Sequence, residues 1–429
     1  FHALGREILA DTGTDVSRIV ERSEVLAKLG GGPPPASVAR HLDDAFTRLK
    51  LDPERGPPAT DVATHRAFAA YQAWLVEHDS LDLDDLVARA VPALVGDVGL
   101  LARWRQRAAV LFIDEAQDLD KTQLDLAVLL AGDRRDIFLV GDDDQTIYAW
   151  RLADVRRVLG LASRLPGLRR VDLETNHRCA PEIVRRAARL VAHNQERFDK
   201  RILASPRTRG SVSLAPDSGD AVARARWLLA TWALRHPGER NAIQARTNRE
   251  LLPFAAVALE QGLAYRVEAD GLWLDEPAID AVLEATDPGV ALLPGLRQAA
   301  RAHGLSRDRT QALLAWAAPY RDAVTLRQQL AQRALRRDRA ADDDALTLAT
   351  AHGTKGLEWD HVACIGHDEG SFPSGRALRE AVDPRRVLEE ERRLAYVAWT
   401  RARVTLTLVY DPGSPSRFLT EAFDPDELV

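Results

Sequence analysis

Val110-Leu111-Phe112-Ile113-Asp114-Glu115-Ala116-Gln117-Asp118 is a solidly apolar run that ends abruptly in carboxylates. Ile137-Phe138-Leu139-Val140, followed by Gly141-Asp142-Asp143-Asp144, repeats the texture. Short apolar runs without polar alternation suit strands buried on both faces of a parallel sheet, with the acidic or glycine-containing turn at the carboxyl end. Similar runs recur at Ala242–Ala245, Leu346–Ala349, His361–Ile365 and Val404–Tyr410, with helical stretches between them. The alternation predicts an α/β architecture.

The segment from Gly5 to about Arg105 reads as helical. Apolar residues recur at helix spacing in Val16–Leu29, Val38–Leu49 and His65–Leu75. Gly30-Gly31-Gly32-Pro33-Pro34-Pro35 and Gly56-Pro57-Pro58 cannot continue a helix, so a small all-helical module with sharp breaks is predicted. Between about Val257 and Asp343 the strand texture fades again and an Arg- and Ala-rich helical stretch replaces it.

The 429 residues are 46% apolar, which is too long a chain for one core and apolar enough for several buried interiors. Lys plus Arg (58) nearly balances Asp plus Glu (64), so any nucleic-acid binding must rest on a local surface. Cys179 and Cys364 are far apart and lack His or Cys neighbours at metal-ligand spacing, so neither a disulfide framework nor a zinc site is predicted. No apolar run approaches the roughly 20 residues of a membrane span, and the first residues do not resemble a signal peptide. A cytoplasmic protein without a membrane partner is expected. The chain opens on Phe1 and contains no Met, so the sequence is expected to be an incomplete primary product.

Asp114 and Glu115 stand at the strand end where open α/β sheets bind ligands. One such carboxylate can hold a hydrated Mg²⁺ against a nucleotide's phosphates while the next polarises the attacking water. The same pair also suits a strand that simply ends in a solvated acidic turn. Gly141 to Arg151 leads from a second acidic turn into Gln145 and then Tyr148-Ala149-Trp150-Arg151. Gln can sense a terminal phosphate, aromatic faces can take bases and Arg a phosphate, although Tyr148 and Trp150 also suit a core.

Phe112–Asp118, Val140–Arg151 and Leu173–Cys179 resemble, in order and spacing, motifs of superfamily-one DNA helicases of the UvrD/Rep/PcrA type. Thr350-Ala351-His352-Gly353-Thr354-Lys355-Gly356-Leu357-Glu358 and the run Glu389–Ala402 are similar to that family's later motifs. Phe1-His2-Ala3-Leu4 and Leu83–Ala90 also fit, so the resemblance covers nearly the whole chain. It implies two RecA-like parallel-sheet motor domains that form an ATP cleft, each with a helical insertion. By that likeness the first motor domain is residues 1–4 with about 100–168 and is incomplete, with 5–99 as its insertion. The second is about 169–256 with 344–429, and its short insertion is about 257–343.

The resemblance further implies that Asp114 binds Mg²⁺, Glu115 is the general base and Gln145 reads the terminal phosphate of ATP. It makes Arg178 and Arg401 the arginines that stabilise the transferring phosphoryl group, and places His177 on the adenine and Glu358 near sugar and phosphates. His177 stands where many members have Tyr, which implies looser adenine selectivity. Phe1, His2, Tyr148, Trp150, Arg151 and His352 match single-strand contacts, with Arg246 and Asn248 as weaker candidates. The expected activity is ATP-dependent 3′ to 5′ translocation and unwinding, on single-stranded DNA and single-strand/duplex junctions, in DNA repair or recombination. No Gly-x-x-x-x-Gly-Lys-Ser/Thr loop occurs in the 429 residues, and an amino-terminal truncation is expected to account for it. The alternative is a non-catalytic single-strand-binding or regulatory module that keeps the fold.

Overall fold

In a computed structural model of the chain, β1 (Leu111–Ile113) and β2 (Ile137–Leu139) pair in parallel with Leu111 opposite Ile137. The structure describes all residues except 134–135, 218, 231–237, 262, 268–276, 288, 306–308, 311–312, 315–316, 319, 329–344 and 429. These residues form two units, Phe1–Val171 with Glu196–Phe198, and Asp172–Gln195 with Asp199–Val429. Among them no helix is long and apolar enough to cross a membrane.

In the first unit, Ile113 points into a core with Leu124, Ala127, Leu161 and Leu165. The opposite face departs from the expectation of two-sided burial. Phe112 is 77% and Phe138 58% exposed, their rings 5.9 Å apart, because no described residues cover that side of the pair. The helix Lys121–Ala131 that joins the strands starts in a capping box, Asp120 accepting from Gln123 N and Gln123 returning a bond to Asp120 N. A second core joins Ile8, Val87, Ala90, Leu94, Leu100 and Trp104 to the far side of that helix through Leu126 and Leu130. The helix His2–Asp11 approaches so closely that a Cβ on Gly5 would lie 2.1 Å from Leu86 O.

The helical module contains the helices Arg22–Gly30, Ala36–Leu51 and Val62–Glu77, packed through Val25, Phe46, Tyr71 and Leu75. The first begins later than its apolar spacing suggests. Residues 16–21 are not helical, with Val20 N bonded to Leu81 O at 2.9 Å and Ile19 bridged to Leu81. Gly31 ends that helix in a left-handed conformation (φ 70°), with Gly32 N reaching back to Ala27 O. An ionic cluster ties the module together. Lys50 bonds Asp82 and Asp85, Arg22 bonds Asp82 and Asp84, and Tyr71 donates to Asp82.

The second unit is built on a parallel six-stranded sheet in the order β5-β10-β9-β6-β8-β7. The strands are β5 (Ser211–Pro216), β6 (Asn241–Ala245), β7 (Tyr265–Val267), β8 (Leu346–Thr350), β9 (Trp359–Cys364) and β10 (Ala402–Tyr410). A short parallel pair, β3 (Thr175–Asn176) and β4 (Leu203–Ala204), stands apart from it. The apolar runs expected as strands are β6, β8, β9 and β10, with the centre of β6 buried on both faces. β7 corrects the reading of the stretch after Val257 as wholly helical: three residues of it extend the sheet edge beside β8. The helices Pro277–Glu284 and Leu292–Ala302 follow and share a core of Ile279, Val282, Leu296 and Ala300. The helix Pro384–Trp399 starts on Asp383, which accepts from Arg385 N and Arg386 N, and is buried from Glu391 onward.

Candidate functional site

The carboxyl ends of β1 and β2 converge because Val140 N bonds Ile113 O and Ala116 N bonds Val140 O. Asp114 and Glu115 emerge there into solvent. Asp114 Oδ1 accepts from Glu115 N at 2.9 Å, and Glu115 adopts a left-handed backbone (φ 50°, ψ 42°). A non-glycine residue in that region stores about 1–3 kcal/mol of strain, which functional sites tolerate more often than cores. Behind it Gln117 is 1% exposed. Its Nε2 donates to the Glu115 carboxylate and its Oε1 accepts from Asp142 N at 3.0 Å. Asp142 in turn accepts from Gln145 Nε2 at 2.7 Å. Three of the expected residues, Asp114, Glu115 and Gln145, thus share one strand-end network.

Asp142, Asp143 and Asp144 present carboxylate oxygens within 4.8 Å of one another. All three already accept hydrogen bonds within the unit, and Asp144 also faces a cation. Asp144 pairs with Arg197 at 2.7 Å, Asp143 accepts from Phe198 N, and Asp142 serves Gln145 and Asp144 N. The exposed Asp114 is the better-placed ligand for a Mg²⁺ that keeps most of its water.

Past Gln145 the chain turns through Tyr148-Ala149-Trp150-Arg151, and Leu152 closes the turn with φ 66°. Trp150 is 55% exposed, which excludes a core role, and its ring meets Tyr148 edge-on at 6.1 Å. The Arg151 guanidinium lies 4.5 Å from the Trp150 ring centre and 5.7 Å from that of Tyr148, a cation–π contact. Phe1 and His2 lie at the start of the first helix, half-buried, Phe1 packing against both cores of the unit. Burial lowers the His2 pKa.

In the second unit the expected residues fall at opposite edges of one sheet. At the amino edge, Ala402 of β10 pairs with Trp359 of β9, so Arg401 and Glu358 adjoin. Arg178, from the turn after β3, donates to Glu358 at 2.6 Å, and Arg403 lies 3.7 Å from the same carboxylate. Asn176 Oδ1 shapes that turn by accepting from Arg178 N and Cys179 N, leaving His177 exposed. Arg401 is 2% exposed and donates to Val397 O and Leu357 O. Burial pushes the Cys179 thiol up to about 11 against the opposing pull of Arg178 and Arg401, which favours its protonated form.

At the carboxyl edge, Ala245 of β6 pairs with Thr350 of β8, which brings Arg246 and His352 onto one side. Arg246 forms a fork-like pair with Glu391, at 2.6 Å through its terminal nitrogen, and Glu391 also accepts from Ser374 N. Burial, reinforced by Arg246, lowers the His352 pKa to about 4. Asn248 opens the helix Asn248–Gln261, and its Oδ1 is buried without a hydrogen-bond partner among the described residues. Sequence reasoning assigned no role to Gln117 or Glu391, although both lie inside quoted motifs. The pairing of Gln117 with Asp142 spans 25 positions and that of Glu391 with Arg246 spans 145, and neither leaves a local signal.

Residues 37–166 match the UvrD/REP helicase N-terminal domain, and residues 310–412 match the UvrD-like helicase C-terminal domain. The chain belongs to the UvrD-like helicase family. The ATP-dependent DNA helicase UvrD2 of Mycobacterium tuberculosis is 31% identical over 406 residues, covering 85% of this chain and 58% of that protein. DNA helicase II of Escherichia coli is 26% identical over 478 residues, covering 85% of this chain and 65% of that protein. The ATP-dependent DNA helicase Rep of Escherichia coli is 35% identical over 137 residues, 32% of this chain and 20% of Rep. The chain therefore spans about three-fifths of the length of the first two relatives.

As a UvrD-like helicase chain, it has parallel sheets of the RecA-like motor kind, one in each unit. The first unit's strand-end network and the second unit's two sheet edges hold most of the family-type positions.

Proposed function

We propose that this chain is the motor part of an ATP-dependent helicase that moves 3′ to 5′ on single-stranded DNA and opens duplex at single-strand/duplex junctions, in repair or recombination. The observation that carries this reading is the hydrogen-bond chain Glu115–Gln117–Asp142–Gln145. It links a candidate base to a phosphate-sensing amide three residues ahead of the Tyr148–Arg151 turn, so hydrolysis and DNA contact share one piece of backbone.

On this reading Asp114 would hold a Mg²⁺, which when bound would offset phosphate charge, and Glu115 accepts the proton of the attacking water. Gln145 hydrogen-bonds the terminal phosphate. Arg178 and Arg401 supply guanidinium charge to the transferring phosphoryl group, an effect worth about three to five orders of magnitude in arginine-finger systems. Glu358 lies beside the sugar and phosphates, and exposed His177 offers a stacking face to adenine. Trp150 and Tyr148 take bases with Phe1 and His2, while Arg151, Arg246, Asn248 and His352 follow the strand. Stacking gives grip without sequence preference because every base has a face.

The test is hydrolysis and unwinding by the full-length protein. The motor reading expects ATPase activity stimulated by single-stranded DNA and unwinding of duplexes with a 3′ tail. Unwinding confined to 5′-tailed duplexes overturns the polarity. Tight single-strand binding without hydrolysis supports instead a non-catalytic DNA-binding module.

A further inference from the structure

We propose that Gln117 is the positioning residue that couples Glu115 to Gln145, an inference that rests on the motor reading above. Gln117 is 1% exposed, donates through Nε2 to the Glu115 carboxylate and accepts through Oε1 from Asp142 N at 3.0 Å. The partners fix which way the amide faces. A carboxylate only accepts and a backbone N–H only donates, so turning the amide over would set oxygen against oxygen and N–H against N–H. The left-handed backbone of Glu115 brings side chains 115 and 117 to one side of the turn. Gly141 makes the second contact possible: a Cβ there would lie 2.6 Å from Gln117 Oε1 and 3.3 Å from Gln117 N.

The other end of the relay is equally tied. Asp142 Oδ1 accepts from Asp144 N at 3.1 Å while Oδ2 accepts from Gln145 Nε2 at 2.7 Å. A displacement of Gln145, whether by a phosphate oxygen or by movement of the Tyr148–Arg151 turn, therefore reaches Glu115 through Asp142 and then the buried Gln117 side chain. Gln117 itself exchanges no proton and touches no substrate. Its role is to hold the base within the geometry that proton abstraction needs.

The experiment compares Gln117→Ala, Gln117→Glu, Gln145→Ala and the Gln117→Ala/Gln145→Ala double variant of the full-length protein. ATP hydrolysis is measured with and without single-stranded DNA, alongside KM for ATP, strand affinity and thermal midpoint. Gln117→Glu keeps size and an acceptor for Asp142 N but sets a carboxylate against Glu115, so it carries the test if the alanine variant fails to fold. The expected result is a fall in kcat of about 100-fold, the cost of misplacing a catalytic group by about 1 Å. KM and strand affinity should stay within about twofold, because Gln117 touches neither nucleotide nor strand and its loss removes no uniform binding. DNA stimulation should vanish, and the double variant should be no slower than the slower single variant. Wild-type kcat and DNA stimulation in a folded Gln117→Glu protein overturn the proposal, as does a double variant whose loss is the product of the singles. A wild-type protein that does not hydrolyse ATP overturns the motor reading and this proposal together, which separates the two failures.

Discussion

Arg178 and Glu358, 180 positions apart, meet in a 2.6 Å ion pair beside the amino ends of β9 and β10. Both side chains are about a third exposed, so the pair contributes little to stability, on the order of 0–1 kcal/mol. Its consequence is orientation: Glu358 holds the Arg178 guanidinium next to Arg403 against their mutual repulsion. Arg178→Ala should lower turnover by about three orders of magnitude or more while shifting the thermal midpoint little. Glu358→Gln should also slow turnover at near-unchanged stability. A melting curve and a steady-state ATPase assay on the full-length protein check both, and full activity in Arg178→Ala would remove it from the phosphoryl site.

Glu115→Gln should abolish turnover and leave nucleotide binding largely intact. The amide keeps the shape of the strained turn but cannot take a proton. Binding of a fluorescent nucleotide beside single-turnover hydrolysis separates the two effects, and wild-type-like hydrolysis would displace Glu115 as the base.

Trp150→Ala should weaken single-strand affinity by about 1–3 kcal/mol, the value of one base stacked on an aromatic. Because Trp150 is mostly exposed, its thermal midpoint should stay close to wild type. Fluorescence anisotropy with an oligothymidylate measures the first and calorimetry the second. A large loss of stability with unchanged affinity would mean that the ring packs rather than stacks.

Asp82→Ala should be strongly destabilising. Burial would raise the Asp82 pKa, but Lys50 and Arg22 outweigh it and hold the carboxylate well below its usual range. Removing it leaves Lys50 and Arg22 buried with fewer counter-charges, a loss of about 3 kcal/mol or more. Urea denaturation of the protein reads this directly, and a change below about 1 kcal/mol, the range of surface pairs, would show the cluster to be solvated.

Acid should destabilise the second unit through buried histidines. His367, whose Nε2 accepts from Trp399 Nε1 at 2.8 Å, is held by burial at a pKa of about 3, and His352 at about 4. Histidines of the unfolded chain bind protons near pH 6.5. Below that value the unfolded state takes up more protons than the folded one, so stability falls from about pH 6.5 down to the folded pKa values, by roughly 1.4 kcal/mol per pH unit for each such histidine. Replacing His367 by Gln should flatten the pH dependence of the urea midpoint between about pH 6 and 4, the window set by those values. An unchanged slope would show that His367 titrates normally in the folded protein.

Where a residue's role depended on chain neighbours, it was legible. The runs at Val110–Ile113, Ile137–Val140 and Ala242–Ala245 lie on strands because strand texture is local. The helix start at Arg22 was not legible, since the segment before it is held by a backbone bond to Leu81, some sixty residues on. β7 was likewise hidden, because a three-residue strand at a sheet edge carries too few side chains to break a helical background.

The class of architecture, the order of the motifs and the residue types at each strand end are legible without a structure, because apolar runs and the acidic turns closing them are properties of adjacent residues. Which of those residues meet depends on how the strands pair. Parallel pairing of β9 with β10 sets Glu358 beside Arg401, and pairing of β6 with β8 sets Arg246 beside His352 at the other edge. The burial of Gln117 between Glu115 and Asp142, and of Glu391 against Arg246, follows from the same pairing of distant segments. A hydrogen bond needs two atoms within about 3 Å, and for residues far apart in sequence only the folded sheet sets that distance.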